Sequence, residues 1–528
     1  MRPFDQSGIF CPGASISELR HHAVKGAGAT LLSTSSGLAV QVVATVVLAR
    51  ILVPADFGVV AMVTTFSLLL VNFGLNGFSE AILQWDKISH CLVSNLFWIN
   101  VSAGLVLMSG FAATGSLMAR FYGDPRVATV AVGISLTILI TSTSVVHIAL
   151  LKRGMRFAEA SANDIIARVV SVVVSILLGL AGLGYWALVA GAIAQPFSQT
   201  IGAWIVCRWI PGRPRYVKGT GAMMWFALNV YGRFSINYLA RNTDNLLVGW
   251  RFGSVSLGFY KRAYDLFLLS ASQVVSPLTS VAVSVLSRLN KNAAQYRRYL
   301  LSSLSMTAFL GMALGADLTL VGKDIIRLLL GPGWETAGRI FTLFGPGVGI
   351  MLLYGTHGWI HLSIGTANRW LRWVFVELAV TAVLFVVGLR WGPEGIALAW
   401  TVSFWILTLP AFWYAGKPVH LGVAPVVGAV WRYVVASIIA GCASEAALRE
   451  IPSLFVRADW LGAAIRVGAT SLLFGGLYLC AVVVLHQGYA PLRQAAGLIG
   501  EMISRSTSTS PLSPLAACKT ETSTAVGP

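Results

Sequence analysis

The chain has 528 residues, a mean hydropathy of +0.75, 56% hydrophobic residues and only 11% charged residues. This composition excludes a soluble globular domain, and the long continuous apolar runs favour an all-α polytopic membrane protein over a transmembrane barrel. The net charge of +18 is spread over short loops, which indicates orientation in a membrane rather than binding to nucleic acid.

Fourteen apolar segments are long enough to be membrane-spanning helices, which need roughly 20 residues. They are residues 27–52, 57–82, 90–115, 127–150, 162–183, 185–207, 222–250, 257–285, 299–321, 338–362, 372–390, 395–415, 423–443 and 462–486. Basic residues are more frequent in every second connection and in the termini than on the other side. This bias predicts that both termini are cytoplasmic.

The predicted organisation is two pseudo-symmetric six-helix lobes, residues 27–210 and 222–416, followed by two helices within residues 423–486. Residues 1–26 contain no apolar signal-peptide region and are expected to be a cytoplasmic N-terminus. Residues 487–528 are expected to form a cytoplasmic tail that is first amphipathic and then disordered, because it becomes rich in Ser, Thr and Pro.

An internal repeat with an offset of 200 residues supports the two lobes, since residues 41–62 and 241–262 share several features. The matched features are Phe57-Gly58 with Leu257-Gly258, and helix interruptions expected at Gly74 and Gly77 in one copy and at Pro277 in the other. Transporters are often built from repeats with the substrate site between them.

One predicted span, from Ala222 to Trp250, carries an unusual number of polar residues. They are Asn229, Arg233, Asn237 and Arg241 at spacings of four, joined by Asp244 and Asn245. A single Arg near a helix centre costs about 2.5–3.5 kcal/mol on insertion scales, so this face is expected to line a water-filled cavity or to pack against other polar helices. In the second case Arg241 and Asp244 would form a buried pair that locks two helices together.

Polar residues are sparser in the other spans. Gln41 in the first span and Arg168 in the fifth are further cavity candidates, and Arg168 can alternatively form a structural pair with Asp164. His357 and His361 are four residues apart but have no third ligand, and the six cysteines are scattered. We therefore predict neither a metal site nor a cofactor.

Several motifs resemble those of bacterial oligosaccharide flippases. They are LARILVPADFGVVAM, FGLNGFSEAILQ, GLGYWALVAG, YLARNTDNLLVGWRFGSVSLGFYKRAY and LLLGPGWETAG. Over about residues 27–490 the chain is similar to the polysaccharide transporter family, whose members are Wzx-like flippases of the multidrug/oligosaccharidyl-lipid/polysaccharide exporter superfamily.

The resemblance implies two lobes around a central cavity and alternating access in the bacterial inner membrane. It implies that undecaprenyl-diphosphate-linked oligosaccharide is flipped for exopolysaccharide or O-antigen (lipopolysaccharide) assembly, with membrane lipids and a polysaccharide polymerase or co-polymerase as partners. Arg233 and Arg241 lie on the helix that matches the family's head-group-binding arginines. Arg suits phosphate through bidentate hydrogen bonds, and Asn suits hydroxyl groups.

Two alternatives stay open from the residues alone. A cation-coupled exporter of small amphiphiles would use membrane carboxylates, for which Asp164 and Asp244 are the candidates. A membrane polysaccharide polymerase or ligase would need an active site in a long extramembrane loop, and residues 444–461 show no convincing constellation. The preferred interpretation is therefore a transporter that is not an enzyme.

Overall fold

The computed structural model describes residues 3, 4, 8, 10, 35–85, 88–215, 217, 219–451, 459–489, 491–493 and 497. Within these ranges the fold is all-α, as predicted, and strand-like bridging occurs at the isolated residues Phe4, Phe10 and Ser89. The predicted conformations of residues 11–34 and of the tail beyond residue 497 concern parts of the chain outside the described residues.

Sixteen α-helices are described, several of them interrupted within one predicted span. They are α1 (Ser35–Ile51), α2 (Pro54–Phe73), α3 (Ser79–Gln84), α4 (His90–Tyr122), α5 (Arg126–Ser142), α6 (Val145–Arg153), α7 (Phe157–Leu180), α8 (Tyr185–Cys207), α9 (Thr220–Leu289), α10 (Ala293–Leu330), α11 (Glu335–Gly355), α12 (His357–Ser363), α13 (Ala367–Gly388), α14 (Gly392–Gly416), α15 (Val423–Arg449) and α16 (Trp460–His486). Nine helical segments of the described chain are long and apolar enough, by length and composition, to cross a membrane. The predicted count of fourteen is compatible with this helix order.

The interruptions follow the local sequence. A π-helical turn, Gly74–Phe78, separates α2 from α3 at the two glycines where a break was expected. By contrast, α9 remains helical through Pro277, so the interruption expected there is absent. The break in α9 lies instead at Gly253, whose φ of +78° is accessible to glycine without steric cost. Gly253 divides α9 into a first arm, residues 220–252, and a second arm, residues 254–289.

The helices that precede residue 210 pack on one another, and so do the helices that follow it. In the first half, α4 packs on α5, α7 on α8, and α5 on both α2 and α8. In the second half, α10 packs on α11, and α14 packs on α11 and α13. The last two helices, α15 and α16, pack on each other and on α10, where Arg466 donates to Asp324 at 2.6 Å. The division into two six-helix lobes and two added helices stays a prediction.

The two halves meet where α2 runs antiparallel to the first arm of α9. The hydroxyl of Tyr238 donates to the Thr65 carbonyl oxygen at 2.9 Å, and that of Tyr231 donates to the Leu69 carbonyl oxygen at 3.1 Å. These bonds join side chains of one half to backbone of the other, so the contact has a defined register along both helices.

At one end of this contact, two glycines allow the backbones to touch. A β-carbon on Gly58 would overlap the carbonyl oxygen of Ser254, and a β-carbon on Gly258 would overlap the carbonyl oxygen of Pro54. The second contact is the first one displaced by 200 residues at both partners. Small residues permit such close helix contacts within membranes. We call the crossing of residues 54–58 with residues 254–258, together with the side chains that contact it, the hairpin junction.

Candidate functional site

The predicted polar row lies on the first arm of α9. The side chains of Arg233, Asn237 and Arg241 are outside the described residues, so their assignment to a cavity stays a prediction. Asn229 is exposed, and its amide donates to the Trp225 carbonyl oxygen one turn earlier at 2.9 Å. The described hydrogen bonds of Asn229 do not reach another helix. This is compatible with a position that faces a cavity or solvent.

Asp244 and Asn245 have a different environment, since each is only 1% exposed. The hydroxyl of Tyr260 donates to the Asp244 carboxylate at 2.9 Å, across the break at Gly253. The two arms of α9 are thus joined by a buried hydrogen bond to a carboxylate. The predicted pairing with Arg241 involves a side chain that is not described, whereas Tyr260 is a partner that the sequence did not indicate.

The Asn245 side chain is only partly satisfied. Its Nδ2 lies 3.4 Å from the Asn242 side-chain oxygen, while its own Oδ1 is buried without a hydrogen-bond partner among the described residues. An unpaired buried acceptor is destabilising by about 1–3 kcal/mol.

A second polar group lies in the first half, between α1, α7 and α8. Arg168 donates to Asp164 at 2.8 Å, which is the pair expected from their spacing, and Gln199 lies 3.4 Å from the other carboxylate oxygen. The Arg168 side chain also lies beside Gly37 of α1, one turn before the exposed Gln41. The structure therefore brings Arg168 near the helix that carries Gln41, with both residues at least partly accessible.

Further polar residues were missed by the sequence analysis because they do not form a row on one helix. Asn76 of the π-helical turn donates to Asn72 of α2 at 2.7 Å, and Gln199 joins Asp164 from α8. The spacing of four between Asn72 and Asn76 was a usable signal for the first pair. For Gln199 and Tyr260 the sequence offered no such signal, because their hydrogen-bond partners come close only when the helices pack.

The hairpin junction contains an aromatic and cationic cluster. The guanidinium carbon of Arg262 lies 4.0 Å from the centre of the Phe57 ring, and Trp334 packs against both Phe57 and Phe259. A cation over an aromatic face contributes about 0.5–2 kcal/mol, more when it is desolvated. Arg262 thus contacts the opposite half of the chain.

Backbone carbonyl groups of both halves complete the junction. Trp334 Nε1 donates to the Ala49 carbonyl oxygen at 3.0 Å, and Arg50 donates to the Leu328 carbonyl oxygen at 3.1 Å. Arg126 donates to Asp124 at 2.8 Å and to the Ser254 hydroxyl at 3.2 Å. The bonds from Trp334 to Ala49, from Arg50 to Leu328 and from Arg126 to Ser254 join the two halves and would have to break if the halves separated at this end.

The described residues provide no group of three or more His, Cys, Asp and Glu side chains that could hold a metal ion. His357 and His361 are buried and bond locally, His357 Nδ1 with the Tyr354 carbonyl oxygen and His361 Nδ1 with Thr366. Both histidines belong to helix packing in the second half.

The described fold consists of two helical bundles joined along α2 and α9, with polar groups between helices. Solved structures agree with that fold. Lipid II flippase MurJ in an inward closed conformation matches 88% of this chain and 99% of its own, with a TM-score of 0.70 and 15% identity. An inward-facing multidrug resistance MATE family transporter matches 77% of this chain and 96% of its own, with a TM-score of 0.50 and 14% identity.

Residues 47–338, more than half of the chain, match the family model described as Polysaccharide biosynthesis protein, and the chain belongs to that family. Among curated relatives, the succinoglycan biosynthesis transport protein ExoT of Rhizobium meliloti is 22% identical over 74% of this chain and 78% of its own length. The lipopolysaccharide biosynthesis protein WzxC of Escherichia coli is 22% identical over 76% of this chain and 82% of its own length.

Proposed function

We propose that this chain flips a lipid-linked oligosaccharide across the bacterial inner membrane for polysaccharide assembly. Membership of the polysaccharide biosynthesis family carries the proposal, and the names of its relatives include transport proteins. The fold supports it because two bundles meeting along one seam can open alternately at either end. The chain would act as a transporter rather than an enzyme, in concert with a polymerase that uses the flipped product.

The substrate class follows from its chemistry. An undecaprenyl-diphosphate head group with attached sugars is large, anionic and rich in hydroxyl groups. The polar row of α9 offers Arg233 and Arg241 for the diphosphate and Asn229 and Asn237 for hydroxyl groups. The isoprenoid tail can remain in the bilayer, so only the head group needs a polar path between the halves.

If the termini are cytoplasmic, the structure represents a state that is closed at its periplasmic end, where the hairpin junction lies. With both termini in the cytoplasm, the connections at residues 52–54, 123–125, 252–254 and 331–334 lie on the periplasmic side. The bonds from Trp334 to Ala49 and from Arg50 to Leu328 would then close the periplasmic end. A substrate bound between the halves would be released there only after these bonds break.

The carboxylates do not favour the exporter alternative. Asp164 is paired with Arg168, and Asp244 accepts a hydrogen bond from Tyr260. Both candidates for cation coupling are thus engaged by other groups.

A reconstitution experiment tests the proposed function. Purified protein in liposomes should move a fluorescent undecaprenyl-diphosphate oligosaccharide between leaflets, as measured by the fraction quenched from outside, and leave its mass unchanged. Liposomes without protein, and liposomes with the Arg233→Ala/Arg241→Ala variant, serve as controls. A lengthened or cleaved glycan would identify an enzyme instead, and movement of a small cationic dye without the glycan would identify an exporter.

A further inference from the structure

The segment that connects the two halves, residues 208–219, is strongly basic. It contains Arg208, Arg213, Arg215 and Lys218 and no acidic residue. Arg208, Arg213 and Arg215 are exposed, and no ion pair is described for any of the three. We call residues 208–215 the basic linker.

The basic linker is held in one conformation by side chains of α4. Asn95 bonds the backbone of Arg215 in both directions, accepting from its N–H at 2.9 Å and donating to its carbonyl oxygen. Ser94 accepts from the Gly212 N–H at 2.9 Å, and Trp98 Nε1 donates to the Gly212 carbonyl oxygen at 2.9 Å. A fourth α4 residue, His90, lies 3.2 Å from the Ile210 carbonyl oxygen.

These bonds use the linker backbone and leave the guanidinium groups free. The anchoring side chains contact the linker backbone, so none of the three arginine charges is consumed in these described bonds. A loop that is fixed by its backbone presents its cations at set positions, and this lowers the entropy lost when an anion binds.

A cavity of about 870 Å³ lies between α4 and this linker, bordered by Trp98, Ile99, Ser102, Pro214 and Arg215. Apolar groups lie close to these cations: Trp98, which is 42% exposed, bonds Gly212 of the linker, and Ile210, which is 77% exposed, belongs to the linker. Exposed aromatic and aliphatic groups next to arginines are typical of the membrane–water interface, where the ring lies at head-group depth and the cation meets phosphate.

We propose that the basic linker and α4 form a binding site for the phosphate head group of an anionic phospholipid. The arginines contact the phosphate, while Trp98 and Ile210 lie against the upper part of the acyl chains. Arg is suited to this role because its planar group donates two parallel hydrogen bonds to a phosphate. The site lies on the segment of chain that connects the two halves, residues 208–219, and not at the hairpin junction. A bound lipid would therefore act on that connection.

Binding can be measured on the full-length protein with phosphatidylglycerol and phosphatidylcholine as probes, by counting lipids retained in native mass spectrometry and by titration in detergent micelles. Wild-type protein should retain phosphatidylglycerol in preference to phosphatidylcholine. The Arg208→Gln/Arg213→Gln/Arg215→Gln variant should bind phosphatidylglycerol on the order of 100-fold more weakly, since each basic residue near an anionic surface contributes about fivefold.

A matched control removes three charges elsewhere. Arg288, Lys291 and Arg298 are exposed around the α9–α10 connection, and their triple Gln variant should retain the lipid. Equal weakening by both triple variants would overturn the proposal, because net charge alone would then explain the binding.

A second variant distinguishes a pre-formed binding site from exposed cations that attract the lipid without a defined geometry. Asn95→Leu keeps every arginine but removes the bonds to Arg215, so it should weaken phosphatidylglycerol binding, and Trp98→Phe should do so to a smaller extent. Thermal unfolding in phosphatidylcholine checks that each variant folds. Unchanged lipid binding by a folded Asn95→Leu variant would contradict the site, as would retention of a polyprenyl diphosphate but not of phosphatidylglycerol.

Discussion

Gly58 and Gly258 lie directly against each other at the crossing of the two halves: a β-carbon on Gly58 would be 3.0 Å from the backbone nitrogen of Gly258. Each glycine also contacts the carbonyl oxygen at the start of the other helix, that of Ser254 or Pro54. The same 200-residue offset relates both members of the two contacts. A pseudo-two-fold axis passing between the glycines would produce this reciprocity, and it supports the proposed pair of six-helix lobes.

Alanine at either glycine should disturb the junction. Gly58→Ala and Gly258→Ala place a methyl group on a backbone oxygen that cannot rotate away, so we expect each to destabilise the protein by about 1–3 kcal/mol. Thermal unfolding in detergent measures the loss. Gly110→Ala is the matched control, because its β-carbon would meet open space, and helix propensity alone should make it neutral or stabilising. Stability equal to wild type for both junction variants would show that the helices can separate without penalty.

The indole of Trp334 should bias the protein towards a closed junction. Trp334→Phe keeps the ring contacts with Phe57 but removes the bond to Ala49, which contributes about 1 kcal/mol, so opening should increase about fivefold. A cysteine replacing Leu257, which is fully buried at the junction, should react correspondingly faster with a maleimide in a cysteine-free background.

Trp405→Phe provides the control for that experiment. Its indole donates to the Pro346 carbonyl oxygen at 3.1 Å within the second half, so its loss should leave the labelling rate unchanged. If both Trp variants accelerate labelling equally, the effect is general loosening and the role of Trp334 is refuted.

The hydrogen bond from Tyr260 to Asp244 should contribute strongly to stability. Tyr260→Phe leaves a buried carboxylate without its hydroxyl donor, and we expect a loss of about 1–3 kcal/mol in the free energy of unfolding. Tyr433→Phe, which removes a bond between two neutral hydroxyl groups, should have a smaller effect. Changing both partners, Asp244→Leu with Tyr260→Phe, should recover part of the stability. A double variant worse than the sum of the single changes would argue that Asp244 has a further essential partner.

Arg233 and Arg241 are expected to act on the substrate. They lie two helical turns apart, about 12 Å along the axis, so one can meet the diphosphate while the other contacts a nearby oxygen. Arg→Ala at either position should abolish polysaccharide export at normal protein abundance, and Arg→Lys should retain part of it because an ammonium group lacks the bidentate fork. Recovered export in an Arg241→Ala/Asp244→Ala double variant would identify a structural pair and exclude Arg241 as a ligand.

Topology can be checked independently of function. Reporter fusions after Lys218 and after Arg298 should report a cytoplasmic location, and a fusion within residues 444–461 a periplasmic one. The physical basis is the excess of basic residues in the connections assigned to the cytoplasm. A single inverted reporter would reverse the assignment of the hairpin junction to the periplasmic end.

The helices themselves could be predicted from the chain because hydropathy and length decide whether a segment can satisfy its backbone within a membrane. The match of Gly58 with Gly258 was likewise visible as a repeat, since duplicated halves keep glycines where backbones must approach. The Arg168–Asp164 pair followed from a spacing of four on one helix. All these signals are local or periodic, and so they can be read before the helices pack.

Other features depended on the tertiary structure, because they join residues that no regular spacing along the sequence relates to each other. Tyr260 reaches Asp244 only because the chain turns at Gly253, and the sequence had indicated Pro277 as the interruption. Asn95 is 120 residues from Arg215, yet it binds that residue's backbone in both directions. The sequence by itself determined that the chain folds into long apolar helices and which side chains carry charge. Only packing decided which of those charges are buried in pairs and which, as at residues 208–215, stay exposed, since burial depends on the neighbours that folding supplies.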